Sequence, residues 1–258
     1  MIENNTRVII RDVDAIRYVT LNRPEKANAL SMSMLHELRC AIQSSEAAGI
    51  RLVVLRSASP RLFCAGADIE EFLEGPDQLA QQSEALRELI DAMARCPLPL
   101  LALARGRAAG AGAIVLSLVD IVIAADTLVF VCPEIAFNMY PGVVQAALEM
   151  KTGPARARQL CLSGEALPVG EAKQLGLVTD VFADDEFEAA AEQRLAYFAA
   201  RSEALLMARK AWLLSVPADS LMRKIGMLEP LLHQNFSHAG VQETIKSYLA
   251  RLRTKATG

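Results

Sequence analysis

The sequence predicts an α/β fold, in which a largely parallel β-sheet with crossover helices is followed by a helical C-terminal region. Short apolar stretches with strand character alternate with amphipathic stretches up to about residue 180, a pattern typical of strand–helix–strand units. Beyond that point only helical periodicity remains. The 258 residues, 52% of them apolar, are enough for one large domain with a sizeable core and a helical appendage.

The N-terminal elements follow from local patterns. Residues 7–11 and 15–21 alternate in polarity on either side of an aspartate-rich turn, which predicts a β-hairpin. After a polar loop, Ser31 or Ser33 can cap a helix with one apolar face. Residues 52–55 form a short apolar run that is typical of a buried strand.

The middle of the chain continues the same alternation. Residues 79–94 are amphipathic and predict a helix, while residues 97–104 and 120–124 predict two more buried strands. Strands separated by helices in this way indicate a parallel sheet.

The C-terminal region is predicted to be helical throughout. Residues 184–210 and 220–253 show helical periods, and Pro230 is expected to kink or split the second of these segments. We therefore divide the chain into an α/β core, residues 1–190, and a helical region, residues 191–258. The apolar stripe of this region should be buried against another surface, such as a second subunit, or serve as a lid.

Composition excludes several classes of function. The net charge is −3 and like charges do not form runs, which argues against nucleic-acid binding and against an anionic-membrane patch. Charged side chains interrupt the most apolar region, residues 97–125, so it is not expected to span a membrane. Five widely spaced cysteines and three scattered histidines indicate neither a disulfide framework nor a metal site. No secretory signal is visible, and we expect a cytoplasmic protein.

Two turns rich in small residues and one glutamate carry the predicted chemistry. The turns are FCAGAD at 63–68 and GRAAGAG at 106–112, and each follows a strand-like run and leads into a segment that can be helical. Small residues leave backbone N–H groups uncrowded, and two N–H groups on one oxygen make an oxyanion hole. Glu134 can supply a nearby carboxylate for proton transfer, although alone it could also be a surface or helix-capping residue.

Taken in order, these motifs resemble the crotonase superfamily, also called the enoyl-CoA hydratase/isomerase family. The resemblance extends over LNRPEKANAL at 21–30 (the loop at the adenosine end of coenzyme A), both turns, PEI at 133–135 with PG at 141–142, and residues 163–178. It implies a spiral of β-β-α units with a C-terminal helical region, assembled as a homotrimer or a dimer of trimers. It also implies an acyl-CoA or acyl-carrier-protein thioester as substrate, carried on coenzyme A or phosphopantetheine, with no permanently bound cofactor and no metal.

The resemblance also assigns residues to roles. The N–H groups of Ala67 and Ala111 would form the oxyanion hole, Glu134 would be the acid and base, and Tyr140 is a candidate auxiliary proton donor. The resemblance further assigns substrate or coenzyme A contacts to Arg23, Lys26, Ala27, Ala29, Ala65, Gly66, Asp68, Ile69, Gly110, Ile114, Pro141 and Gly142. Arg23 or Lys26 would meet a phosphate, while Asp68 could instead cap a helix.

One departure from the family pattern narrows the reaction. Hydratases of the family hold a water between two glutamates, and Ile114 stands where the second glutamate would be. Isoleucine cannot deprotonate water, so ordinary hydration is doubtful. A single glutamate suffices for an enoyl-CoA isomerase, which we favour narrowly over a thioester decarboxylase of the polyketide β-branching type or a weak hydratase.

Two other classes of protein were weighed. Residues 106–112 also fit the glycine pattern of short-chain dehydrogenases, but no later tyrosine has a lysine four positions on, so that class is disfavoured. A non-catalytic CoA-binding protein stays open, because Ile114 and Ala111 both depart from the usual residues at their positions.

Overall fold

In the computed structural model, which describes residues 6–216 and 218–256, two β-sheets form the centre of the molecule. In chain order the strands are β1 (Val8–Val13), β2 (Ile16–Leu21), β3 (Leu52–Ser57), β4 (Leu62–Cys64), β5 (Leu100–Ala104), β6 (Arg107–Ala109), β7 (Ile121–Ala125), β8 (Val129–Val131), β9 (Leu167–Pro168) and β10 (Asp180–Phe182). The helices are α1 (Met32–Gln43), α2 (Ile69–Phe72), α3 (Pro76–Arg95), α4 (Ala111–Leu118), α5 (Gly142–Ser163), α6 (Val169–Gln174), α7 (Phe187–Ala199), α8 (Ser202–Ser215), α9 (Ala218–Phe236) and α10 (Ala239–Ala256).

The larger sheet has six strands in the order β1-β2-β3-β5-β7-β10, and the smaller has four in the order β4-β6-β8-β9. The predicted hairpin is present as the antiparallel pair β1–β2, and the other neighbours in the larger sheet are parallel. In the smaller sheet β4, β6 and β8 are parallel, and β9 is antiparallel to β8. The predicted class of fold is confirmed.

The two sheets are built by a repeated unit. The strand pairs β3 and β4, β5 and β6, and β7 and β8 each give one strand to the larger sheet and the next to the smaller. Helices α3, α4 and α5 follow these pairs, so the chain climbs in a spiral of β-β-α units, as predicted. The spiral brings the carboxyl ends of three neighbouring parallel strands, β4, β6 and β8, to one edge of the smaller sheet.

Helix α1 shows how the local sequence sets an element. Ser31 is its N-cap, and the Ser31 hydroxyl accepts a hydrogen bond from the N–H of Met34 at 3.4 Å, which selects Ser31 over Ser33. Leu35, Leu38 and Ile42 then face the core on one side of the helix.

Helix α7 belongs with the larger sheet. Phe187, Leu195 and Phe198 pack with residues of β3, β5 and β7, including Leu52 and Leu101, in a cluster separate from the main core. The boundary drawn at residue 190 therefore falls inside a helix that covers one face of this sheet, and the helices beyond it form the remaining C-terminal region.

Two expectations about the last helices need correction. Helix α9 continues through Pro230, so the proline does not split it, and the break comes at residues 237–238. Because proline removes one backbone N–H donor, a helix packed on its neighbours can retain the rest of its hydrogen bonds. The apolar stripe is buried within this chain: Leu221 and Ile225 join the main core, while Ile245 packs in a third cluster beside α2.

No helix among the described residues is both long and apolar enough to cross a membrane.

Candidate active site

A cavity of about 610 Å³ opens beside the edge of the smaller sheet where β4, β6 and β8 end. Its walls come from the turns after these strands and from α2, α4, α9 and α10. Every residue assigned to the site from the sequence lines this cavity except Arg23. The motifs that lie far apart in the chain are therefore brought together.

The first turn leaves one backbone amide without a partner. After β4, Gly66 adopts φ 112°, a conformation that favours glycine. The carbonyl oxygen of Gly66 accepts the N–H of Leu30 at 2.8 Å, and the N–H of Asp68 donates to Leu30 at 3.0 Å. Within residues 6–216 and 218–256 the intervening N–H of Ala67 has no hydrogen-bond acceptor.

The second turn presents an equivalent amide at the start of α4. Gly110 adopts φ 48°, and its own N–H donates to Val131 at 3.0 Å. Ala111 is the first residue of α4, and its N–H likewise has no acceptor in the described part of the chain. The helix dipole adds positive potential there, and the negative φ of Ala111 is one that alanine tolerates.

The two turns touch each other. A Cβ atom built on Gly66 would lie 3.8 Å from the N atom of Ala111, and one built on Gly110 would lie 3.8 Å from the Cα of Gly66. The free N–H groups of Ala67 and Ala111 therefore lie in adjacent turns at the wall of the same cavity. This arrangement can hold one carbonyl oxygen between two donors.

Glu134 lies against the second turn. It belongs to a 3₁₀ turn, Pro133–Phe137, that follows β8, and a Cβ built on Gly110 would come within 2.6 Å of its Oε1 atom. Glycine at 110 therefore makes room for the carboxylate as well as permitting the turn. The Oε2 atom is buried and has no hydrogen-bond partner among the described residues.

The environment of Glu134 changes its acidity. Burial raises the pKa of the Glu134 carboxyl to about 7, against a smaller opposing effect of its own backbone N–H. A carboxyl with this pKa can both take up and release a proton near neutral pH. The site therefore contains a group suited to acid–base catalysis.

Ile114 makes the adjoining wall apolar. It lies three residues after Ala111 on α4, is 1% exposed and lines the cavity. Of the three other carboxylates that line the cavity, Asp68 pairs with Arg23 and Glu70 pairs with Lys26. The third, Glu25, is exposed in the loop after β2. No second carboxylate stands at position 114 to share a water with Glu134.

Arg23, one of the two candidates for a phosphate contact, is engaged within the protein. Its Nη1 atom lies 2.6 Å from Oδ2 of Asp68, and it also donates to the carbonyl of Ala29 at 3.0 Å. Both side chains of the pair are buried. The other oxygen of Asp68 accepts the N–H of Glu70 at 3.1 Å, so Asp68 caps α2, as the alternative interpretation expected. Exposed Lys26, 2.7 Å from Glu70, is left as the candidate for a phosphate contact.

Tyr140 is also engaged within the protein. The Nε2 atom of Gln145 donates to Glu149 at 2.7 Å, which sets the orientation of the Gln145 amide. The Oε1 atom of Gln145 therefore faces Tyr140 and accepts a hydrogen bond from its hydroxyl. Burial raises the pKa of the Tyr140 phenol. Tyr140 lines the cavity, and its role as an auxiliary proton donor stays a prediction.

Several cavity residues were missed by sequence reasoning. They are apolar or aromatic and lie outside the quoted motifs: Phe72, Phe137, Met139, Ile245, Tyr248 and Leu249. Helical periodicity marked Ile245 and Leu249 as buried, but it could not show which surface they would face.

Comparisons with known proteins agree with this geometry. The family model described as Enoyl-CoA hydratase/isomerase matches residues 11–257. The chain is 30% identical over 247 residues to "Probable enoyl-CoA hydratase" of Rhodobacter capsulatus, covering 95% of each protein. It is 29% identical to "Enoyl-CoA delta isomerase 2" of Homo sapiens, over 74% of this chain and 50% of that protein. The crystal structure of an enoyl-CoA hydratase from Mycobacterium avium subsp. paratuberculosis superposes with a TM-score of 0.82 at 23% identity, covering 95% of this chain and 96% of that one, which shows the shared fold.

Proposed function

Because this chain belongs to the enoyl-CoA hydratase/isomerase family, whose members act on acyl-CoA thioesters, we propose that it is an enoyl-CoA isomerase. The reaction moves the double bond of a 3-enoyl thioester to position 2. The observation that carries the proposal is a buried, unpaired carboxylate, Glu134, beside two free amides and next to apolar Ile114. A matched relative also bears the name of a delta isomerase.

The mechanism needs only groups that line the cavity. The thioester oxygen accepts hydrogen bonds from the N–H groups of Ala67 and Ala111. Ionised Glu134 removes a proton from C2, and the electron pair delocalises into a dienolate whose negative oxygen lies between the two donors. Protonated Glu134 then returns the proton to C4, which gives the 2-enoyl thioester and regenerates the carboxylate.

Ile114 supports isomerisation over hydration. Adding water across the double bond requires one group to activate the water and another to protonate the α-carbon. Glu134 can perform one of these tasks, and the side chain of Ile114 can perform neither. An apolar wall also disfavours water beside the dienolate. Reaction of the dienolate with that water would be a side reaction.

The test is a product assay with three thioesters: a 3-enoyl-CoA, a 2-enoyl-CoA and a malonyl-type CoA. We expect 3-enoyl to 2-enoyl conversion with little hydration. Glu134→Gln should lower the isomerisation rate by about 10²–10⁴-fold, because the amide cannot carry the proton. Glu192→Gln, an exposed change on α7 outside the cavity, is the matched control and should keep the full rate.

Each other outcome identifies a different function. Rapid hydration by the unaltered protein would show that Ile114 does not exclude water chemistry. Release of carbon dioxide from the malonyl-type thioester would favour the decarboxylase. Binding of acyl-CoA without exchange of its α-proton in heavy water would identify a non-catalytic CoA-binding protein.

A further inference from the structure

One part of the cavity is lined by apolar and aromatic side chains alone. Six residues, here called the apolar compartment, line this part: Phe72, Phe137, Met139, Ile245, Tyr248 and Leu249. Met139 and Ile245 are buried in one cluster, with Phe72, Phe137 and Leu249 packed against them. The rings of Phe137 and Tyr248 meet edge to face at 5.1 Å and connect Tyr248 to the same group.

The apolar compartment adjoins the reacting centre. Phe137 ends the 3₁₀ turn that contains Glu134, and the N–H of Met139 donates to the carbonyl oxygen of Glu134 at 3.0 Å. An acyl chain whose C2 and C4 lie beside Glu134 would therefore continue into this compartment. One wall of the compartment is α10 of the same chain, which supplies Ile245, Tyr248 and Leu249.

The apolar compartment contains no charged side chain, and its one polar side-chain atom is the hydroxyl oxygen of Tyr248. The cations that line the cavity, Lys26 and Arg107, come from the loop after β2 and from β6, and Lys26 is already paired with Glu70. Glu71 and Lys246 are adjacent to compartment residues in the chain, but neither lines the cavity. Glu134 is the carboxylate of the adjoining 3₁₀ turn. A carboxylate at the end of an acyl chain would thus lose its hydration, find no partner and be repelled by Glu134 when that group is ionised.

We propose that this protein selects uncharged acyl chains and rejects acyl chains that end in a carboxylate, and that α10 provides the wall responsible. The inference rests on the proposed function in that it takes an acyl-CoA as the ligand. It does not depend on which reaction follows binding.

The test measures binding of saturated thioesters, which cannot react as enoyl substrates. Hexanoyl-CoA and adipoyl-CoA have the same chain length and differ in the terminal carboxylate. By titration calorimetry we expect hexanoyl-CoA to bind about 100-fold more tightly or better, since an unpaired carboxylate is costly to bury. Affinities within about threefold of each other would overturn the proposal.

A charge introduced on α10 tests the assigned wall. Leu249→Arg should reverse the discrimination, with adipoyl-CoA gaining about tenfold or more in affinity while hexanoyl-CoA loses affinity. Ser247→Arg places the same charge at an exposed position of the same helix outside the cavity and should leave the ratio of the two affinities unchanged. Tyr248→Arg provides a second variant at a more exposed position if Leu249→Arg does not fold. Equal ratios in all of these variants would remove α10 from the acyl site.

Failure of this proposal and failure of the isomerase proposal are distinguishable. A preference for hexanoyl-CoA without 3-enoyl conversion supports the compartment and rejects the isomerase. Conversion without that preference rejects the compartment alone.

Discussion

Glu134 combines two requirements that oppose each other. As a base it must be ionised, yet its burial without a partner for Oε2 stabilises the neutral acid and raises its pKa to about 7. A carboxyl with an ordinary pKa would be ionised more fully at neutral pH, but it would be a weaker base. The environment of this residue therefore predicts both how activity and how stability depend on pH.

We expect kcat/KM for 3-enoyl-CoA isomerisation to rise with pH and to level off above a midpoint near 7. Removal of the C2 proton requires the ionised form of Glu134, so well below the midpoint the rate should increase about tenfold per pH unit. Initial rates measured across this range, with the residual rate of Glu134→Gln as the baseline, give the profile. A rate that stays level through the midpoint would assign proton removal to a different group.

Stability should change in the opposite direction. Because the folded pKa of Glu134, about 7, exceeds its ordinary value of 4.5, the folded state binds this proton more tightly than the unfolded state. Its contribution is complete below about pH 4.5 and is lost as pH rises through 7. Glu134→Gln removes the ionisation, so above pH 7 this variant should exceed the unaltered protein in the free energy of unfolding by about 1–3 kcal/mol.

Urea unfolding of both proteins at a pH near 5 and at a pH near 8 measures this difference. The gain from Glu134→Gln should be small at the lower pH and larger at the higher one. A gain of the same size at both would mean that packing, and not ionisation, separates the two proteins.

At the residue scale, the parts of the site that sequence predicted are those with local causes. Gly66 and Gly110 have positive φ, which a turn after a strand signals by itself. The engagement of Arg23 could not be predicted in the same way, because its partner Asp68 lies 45 positions along the chain and meets it only in the folded protein. A charged loop residue beside a family motif looks like a ligand contact until its ion pair is known.

At the scale of elements, α9 holds the cavity wall that follows Glu134. The Oδ1 atom of Asn235 accepts the N–H of Tyr140 at 2.9 Å. A Cβ built on Gly142, the first residue of α5, would come within 3.2 Å of the Cβ of Leu228 on α9. Helices α5 and α9 therefore approach closely at this point. Helix α9 thus fixes both ends of the segment 140–142, directly after the turn that carries the carboxylate.

We therefore expect Asn235→Ala to lower kcat for isomerisation by about threefold to thirtyfold with little change in KM, since one lost hydrogen bond loosens the segment that positions Glu134. Asn235→Asp keeps an acceptor oxygen and should recover most of the rate. Steady-state kinetics of the two variants, with thermal unfolding as a check on folding, distinguish positioning from a general loss of stability. An unchanged kcat in Asn235→Ala would leave α9 with a purely structural role.

Prediction of the elements succeeded where the periodic pattern was long. It failed where packing determines whether an element forms or where it ends. The hairpin, the strands β3, β5 and β7, and helix α3 have patterns that extend over several residues. Strand β10 of the larger sheet has only three residues and was not predicted. The strands β4, β6 and β8 have three residues each, too few for any period to show. Helix α9 passes through Pro230, so this proline does not mark where the helix ends.

At the scale of the whole molecule, the candidate active site depends on the order of strands in the smaller sheet. The turns with the two free amides follow β4 and β6, and the turn with Glu134 follows β8; these strands are parallel neighbours. Sequence predicted the chemistry of each turn, while their convergence depends on a strand order that no local pattern encodes. The family resemblance implied this strand order, because it implied the fold.

The exposed apolar surface of the C-terminal helices predicts that the protein assembles into oligomers. Four large apolar side chains on α8 and α9 are at least half exposed in the single chain: Met207, Leu214, Met227 and Leu231. Apolar area of this kind favours association, because its removal from water is worth about 25 cal/mol per Å². We expect a homotrimer or a dimer of trimers, with α8 and α9 at the contacts between subunits.

Light scattering coupled to gel filtration tests this expectation, with 28.0 kDa as the mass of one chain. The unaltered protein should elute with the mass of three or six chains. Leu214→Glu combined with Met227→Glu should shift it towards one chain, since two buried carboxylates without partners oppose association. Ala196→Glu, an exposed change on α7, should leave the mass unaltered. A monomeric unaltered protein would contradict the expectation directly, and a double variant that keeps its mass would place the contacts on other helices.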